Sequence, residues 1–155
     1  MEWQPDFKGW TASAVALLEY ALADDNVDRA TEALSAIGRA EALSGQDRVP
    51  ASSSDASELR ETLRRLAASD PDLLGRAAAN AVYPWRDYGG QGLPDALFAR
   101  SGYQVLLDMG TWPEPPLSAY HLLNVDTELR EALSEQPLPS DEVPTGFPET
   151  HTWWH

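Results

Sequence analysis

The sequence predicts an all-α protein, a compact bundle of about five to seven mostly antiparallel helices with a proline-rich C-terminal tail. Apolar residues recur at intervals of three and four along much of the chain, and helix-capping residues precede several of these stretches. Hydrophobic residues make up 43% of the 155 residues and charged residues 23%, which is ordinary globular usage. We therefore expect a single helical domain over residues 1–135 and an extended, acidic tail over 136–155.

Two helices joined by a short turn are predicted at the start. Residues 1–10 read as an irregular arm, and Thr11 as the cap of a helix that runs to about Ala23. After a turn at residues 24–26, a second helix is predicted to about Leu43, with Ser35 among its outward residues. The predicted inward residues are Ala14, Leu17, Leu18, Ala21 and Leu22, then Ala30, Ala33, Leu34 and Ile37.

Two further helices follow a serine-rich loop. The third is predicted from about Asp55, with Leu59, Leu63 and Leu66 inward and an ion pair between Glu61 and Arg65. The fourth begins at Asp70-Pro71, a cap followed by a proline in the first turn, and is expected to end near Tyr83. Its inward residues are Leu74, Ala77, Ala78 and Ala81.

The second half of the chain gives weaker signals. Residues 83–93 read as a loop and residues 94–100 as a short helix. Residues 103–108 fit a helix or a short strand equally well, because the run is too short for its period to decide. We expect a helical turn over 117–123 and a last helix capped by Asn124, with Val125, Leu129, Ala132 and Leu133 along one side.

Composition and charge narrow the classes of function. The chain has no cysteine, which excludes disulfides, thiol nucleophiles and iron–sulfur ligation. Its net charge of −14 disfavours direct binding to nucleic acid or to an anionic membrane surface and favours a basic partner. No secretory leader or membrane-spanning run is visible, so a cytoplasmic location is expected. The abundance of alanine and the preference for arginine over lysine suggest a bacterial gene.

The acidity lies at the two ends of the chain. Residues 1–47 carry three basic groups against nine acidic ones, and residues 111–155 carry one against eight. The stretch between them holds seven against eight and is almost neutral. A basic partner would therefore be sought where the two acidic ends meet in space.

Catalytic and metal-binding patterns are weak. No serine elbow and no phosphate-binding loop occurs. His151 and His155, with Glu149, have the spacing of zinc ligands, but they lie in a tail that offers no rigid support. His121 reads as a partly buried packing residue. We expect no metal, no other cofactor and no catalytic residue.

The aromatic residues give the candidate binding sites. None of the six tryptophans falls inside a clearly predicted helix, and Trp10 and Trp112 are expected to fill gaps in an alanine-rich core. A partner-binding loop is predicted at Trp85, Arg86, Asp87 and Tyr88, because tryptophan, tyrosine and arginine dominate interface hot spots. Trp153 and Trp154 form a secondary candidate.

The leading functional hypothesis is a non-enzymatic, acidic protein-binding domain of the inhibitor or immunity type, which masks a basic protein such as a nuclease toxin. Two alternatives stay open. One is an adaptor with an uncharged interface built on the aromatic loop, and the other is an enzyme without a recognisable motif. The sequence sets no oligomeric state.

Overall fold

The computed structural model of the chain describes residues 7–44, 54–80, 93–135 and 137. Within these ranges the chain forms six α-helices and no strand, which confirms the all-α prediction. The helices are α1 (Phe7–Asp24), α2 (Val27–Ser44), α3 (Ser54–Ser69), α4 (Pro71–Ala79), α5 (Leu93–Asp108) and α6 (Ala119–Glu135). The predicted aromatic loop lies outside the described residues, and so does the predicted tail apart from residue 137.

Helix α2 lies at the centre and packs against α1, α4 and α5. All of residues 33–38 are buried, so α2 is covered on two faces. The prediction that Ser35 faces outward is therefore wrong, since Ser35 is only 7% exposed. Ser35 has a small side chain and Gly38 has none, so α5 can pack against this side of α2. The polar residues on the same side are the reason why the sequence predicts it to be exposed.

Two glycines bring the backbones of α2 and α5 into direct contact. A Cβ atom on Gly38 would lie 2.9 Å from the carbonyl carbon of Phe98, and one on Gly102 would lie 2.7 Å from that of Leu34. Because 38 faces 98 while 34 faces 102, the two helices run antiparallel. Each glycine removes the side chain that would otherwise hold the helices apart.

The apolar interior divides into two clusters. The larger cluster contains residues from each of the five helices α1 to α5 and from the segment after α5. Five of its members, Ala14, Leu18, Leu34, Leu63 and Leu74, are predicted inward residues. The smaller joins the end of α2, the start of α5 and α6. Its members are Ala42, Leu93, Ala96, Leu97, Phe98, Val125, Leu129 and Ala132. The two acidic segments of the sequence, residues 1–47 and 111–155, thus both contribute apolar residues to this smaller cluster.

Helix α1 begins earlier than the sequence predicts. It starts at Phe7, so Trp10 lies in its first turns and Thr11, the expected cap, is buried at 1% exposure. The guanidinium of Arg39 lies over the ring of Trp10, 5.3 Å from its centroid, and over that of Phe98 at 4.3 Å. The contact between Trp10 and Arg39 of α2 gives the extra turn a tertiary role that local sequence does not encode.

The predicted start of α4 is confirmed and its predicted end is not. Asp70 accepts a hydrogen bond from the backbone nitrogen of Leu73 at 3.2 Å, as expected of an N-cap before Pro71. The helix ends at Ala79 rather than near Tyr83, with Asn80 as its C-cap.

In α3, the predicted ion pair between Glu61 and Arg65 is wrong. Glu61 pairs instead with Arg64 at 2.5 Å.

Residues 93–108 form one helix, which settles the ambiguity at 103–108 in favour of helix. Gly102, which weakens the helical signal, is the residue that contacts α2. The helix ends in a Schellman motif, in which Thr111 donates to Leu106 and Gly110 donates to Leu107. Gly110 has φ +70°, the left-handed conformation that this motif requires.

The last helix is also continuous, from Ala119 to Glu135. Its cap is Ser118, whose hydroxyl accepts a hydrogen bond from the backbone nitrogen of His121 at 3.2 Å. Asn124 lies inside the helix and does not cap it. No proline or glycine lies between 117 and 135, so nothing separates the predicted helical turn from the predicted helix.

Candidate interaction surface on the last helix

The binding residues predicted from the sequence lie outside the described part of the chain. They are Trp85, Arg86, Asp87 and Tyr88, and Trp153 and Trp154. The same is true of His151 and His155. Their roles stay predictions, and the described residues point to a different surface.

That surface is the outer face of α6. Tyr120 is 71% exposed and Leu123 is 61% exposed, and both are three residues apart on one side of the helix. The same stripe continues through Thr127 to Glu131, opposite the buried Val125, Leu129 and Ala132. We call the stripe Tyr120, Leu123, Thr127 and Glu131, with Glu135 beyond it, the α6 face.

The beginning of α6 is fixed by a chain of buried contacts. Tyr103 of α5 is fully buried and stacks on Trp112, with ring centroids 5.4 Å apart. The indole nitrogen of Trp112 donates to the carbonyl of Ala67 at 3.3 Å. The backbone nitrogen of Leu117 donates to the hydroxyl of Tyr103 at 3.1 Å. Residues 112–117 are thereby tied to α3 and α5, and Trp112 has the gap-filling role predicted for it.

The environment of Tyr103 changes its acidity. Burial raises the pKa of Tyr103, because the phenolate would lose its hydration. The hydrogen bond from Leu117 and the positive charge of Arg100 act in the opposite direction and are smaller effects. The hydroxyl therefore stays neutral at neutral pH and accepts the hydrogen bond that positions α6.

An ion pair with α5 fixes which side of α6 faces the rest of the bundle. Arg100, 3% exposed, donates to the two carboxylate oxygens of Asp126 at 2.6 and 3.3 Å. It also donates to Gln104 at 3.2 Å, and Gln104 donates to Asp108 at 2.9 Å. With Tyr103 facing Leu117 and Arg100 facing Asp126, α5 and α6 run antiparallel. The α6 face is thus presented on a helix held at several points.

Most arginines in the described ranges are engaged by carboxylates of the same chain. The pairs are Arg29–Glu32, Arg39–Asp95, Arg60–Glu41, Arg64–Glu61, Arg76–Asp25 and Arg100–Asp126. The hydrogen bond from Arg64, for example, lowers the pKa of Glu61. Because acidic groups outnumber basic ones by 25 to 11 in the whole chain, these pairs leave a large negative excess. Glu131 and Glu135 on α6 belong to it, since neither forms an ion pair with a described residue.

The α6 face does not emerge from the sequence prediction, because Asn124 reads as a cap that divides the helix in two. Without that division, the helical period places Tyr120, Leu123 and Thr127 opposite Val125, Leu129 and Ala132. His121 was predicted to be partly buried, but it is exposed and lies beside Tyr120, with ring centroids 6.5 Å apart. Val125, one turn further along the same side of α6, is buried.

The α6 face offers binding chemistry of two kinds, apolar surface and negative charge. Within the described ranges, no group of three or more histidine, aspartate or glutamate side chains is arranged to hold a metal ion. None of the six helices combines the length and apolar character needed to cross a bilayer. No known protein family, curated protein or solved structure matches the chain.

Proposed function

We propose that this chain is a non-enzymatic, acidic domain that binds another protein, and that the partner is basic. In this role it acts as an inhibitor or immunity-type protein, covering the positively charged groove with which a partner such as a nuclease engages its own substrate. The proposal is supported chiefly by the way charge is distributed over the described residues.

The supporting observation is that ion pairs within the chain occupy most of its arginines. Six arginines pair with carboxylates of the same chain, at distances from 2.5 to 3.2 Å. Acidic groups beyond these pairs remain, and they dominate the field that an approaching protein meets. Such a field speeds the encounter with a positively charged protein and repels nucleic acid.

The exposed apolar pair on α6, Tyr120 and Leu123, would supply the binding affinity that charge alone does not provide. Charge steers association, whereas affinity comes mainly from a few well-buried anchors at the centre of an interface. Tyr120 and Leu123 are large and exposed, and they lie on a helix held by Tyr103 and Arg100. A rigid anchor loses little conformational entropy when a partner covers it.

The proposal is tested by isolating the partner and measuring the salt dependence of binding. The tagged full chain captures proteins from cells that produce it, and the captured protein is purified and identified. We expect a basic protein whose association rate falls by roughly tenfold or more between low and physiological salt. We also expect the complex to inhibit the partner's own activity.

Two outcomes would contradict this proposal. A captured partner that is neutral or acidic, with an association rate unaffected by salt, would favour an adaptor with an uncharged interface. A small molecule converted by the purified chain would favour an enzyme. In either case the acidity would serve solubility alone.

A further inference from the structure

Resting on the function proposed above, we infer that the α6 face is the docking site and that it binds a basic amphipathic helix of the partner. The face is a straight stripe at positions 120, 123, 127 and 131, which is the i, i+3, i+7, i+11 pattern of one side of a helix. A second helix packs along such a ridge at a shallow angle.

The order of side chains along the stripe specifies the partner. Its first half carries the apolar Tyr120 and Leu123, Thr127 is polar and uncharged, and its last turns carry Glu131 and Glu135. Leu123 and Glu131 are eight residues apart, which is about 12 Å along the axis. The complementary helix therefore carries apolar residues on one face and lysine or arginine about two turns away on the same face.

Charge favours this partner over a second copy of the chain. Two copies would each bring a net charge of −14 to the interface, and the acids on their α6 faces would repel each other. Asp126 does not add to the attraction, because Arg100 already pairs with it. The attraction for a basic segment comes from Glu131 and Glu135.

Helix α1 provides a control for each kind of contact, with one residue changed where each test variant changes two. Tyr20 is 52% exposed, so Tyr20→Ala removes an accessible tyrosine away from the α6 face. Glu19 is exposed as well, and Glu19→Gln removes one negative charge from α1. The test variants are the pair Tyr120→Ala with Leu123→Ala and the pair Glu131→Gln with Glu135→Gln.

The probe is a fluorescently labelled, alanine-based helical peptide. It carries two leucines three positions apart, and two lysines about two turns further along the same face. A second peptide has the same composition with the lysines on the opposite face, and a third replaces the lysines by glutamine. Binding to the full-length chain is measured by fluorescence anisotropy, and the urea midpoint of every variant is measured to confirm that it folds.

We expect the first peptide to bind most tightly. Removal of Tyr120 and Leu123 should weaken its binding about tenfold or more, whereas Tyr20→Ala should change it less than twofold. For each charge removed, the Glu131 and Glu135 double variant should weaken binding and reduce its salt dependence more than Glu19→Gln does.

The possible failures separate the two proposals. If the peptide binds but the α6 variants behave like the Tyr20 and Glu19 controls, the docking site is wrong and the function proposed above stands. If the glutamine peptide binds as tightly as the lysine peptide, the site stands and the basic partner is wrong. If no peptide binds, the docking of a basic helix on α6 is overturned.

Discussion

Gly38 and Gly102 show how single residues set the distance between helices. A glycine inside an exposed helix lowers stability by about 1 kcal/mol relative to alanine, so a Gly→Ala change is usually favourable. Here each new methyl group would collide with a backbone carbonyl of the opposite helix. We expect Gly38→Ala and Gly102→Ala each to lower the free energy of unfolding by about 1–3 kcal/mol, measured by urea denaturation.

An exposed alanine of α1 provides the control for that prediction. Ala16→Gly changes helix propensity alone and should cost about 1 kcal/mol. An increase in stability on Gly38→Ala would mean that α2 and α5 can move apart without loss of packing, which would contradict this prediction.

Tyr103 links the position of α6 to pH. Its pKa is raised by burial, so the folded chain holds this proton more tightly than the unfolded chain. The resulting stabilisation is complete below the unfolded pKa of about 10 and is lost as pH rises from there through the folded pKa. We expect the urea midpoint to fall over this alkaline range.

The variant Tyr103→Phe separates this contribution from others. It should reduce the alkaline loss, and at neutral pH it should cost about 1 kcal/mol because the amide of Leu117 loses its acceptor. If the urea midpoint falls equally with rising alkaline pH in the variant and in the unaltered chain, Tyr103 is not the source of the loss of stability.

At the scale of elements, the pair between Arg100 and Asp126 decides how firmly α6 is held on α5. Asp126→Ala leaves a buried guanidinium without its carboxylate, and we expect a loss of about 3 kcal/mol in unfolding free energy. The double variant Arg100→Met with Asp126→Leu should recover most of that loss, because an apolar pair needs no counter-charge.

The exposed pair of Arg64 and Glu61 supplies the comparison. Both partners lie at the surface of α3, and Glu61→Ala should change stability little. If Asp126→Ala has an equally small effect, then apolar packing alone holds α6, through Val125, Leu129 and Ala132.

Elements with strong local signals were predictable from the sequence, and their tertiary relations were not. The Asp70-Pro71 start and the inward faces of α1 and α2 follow from capping and periodicity, which are local. The prediction for Ser35 is wrong because its burial depends on α2 meeting α5, whose contacting residues lie more than 50 positions away in the sequence. Tyr120 and Leu123 were missed because Asn124 was given a capping role that Ser118 performs.

At the scale of the whole molecule, the net charge of −14 opposes compaction. Salt screens this repulsion and so stabilises the folded chain. Salt also weakens the six ion pairs, but most of these pairs are exposed and contribute little stability, so their loss does not offset the gain. We therefore expect the urea midpoint to rise when sodium chloride is raised from about 0.05 M to about 0.5 M.

Glu135 gives a sharper form of this expectation. It lies in the last turn of α6, where the helix dipole also disfavours negative charge. Glu135→Gln should raise stability at low salt and have less effect at high salt. A midpoint that falls as salt increases would show that ion pairs outweigh the general repulsion.

The crossing of α2 and α5 also has a consequence for the order in which we expect the helices to fold. It joins residues 38 and 98, and 34 and 102, so chain segments far apart in sequence must meet before two helices can be buried. The hairpin of α1 and α2 needs only a short loop and can form early, but one face of α2 stays uncovered until α5 arrives. Helix α6 packs chiefly on α5 and α4, and so it has its main support only after that meeting. We therefore expect closure of the crossing to be the step that commits the chain to its topology.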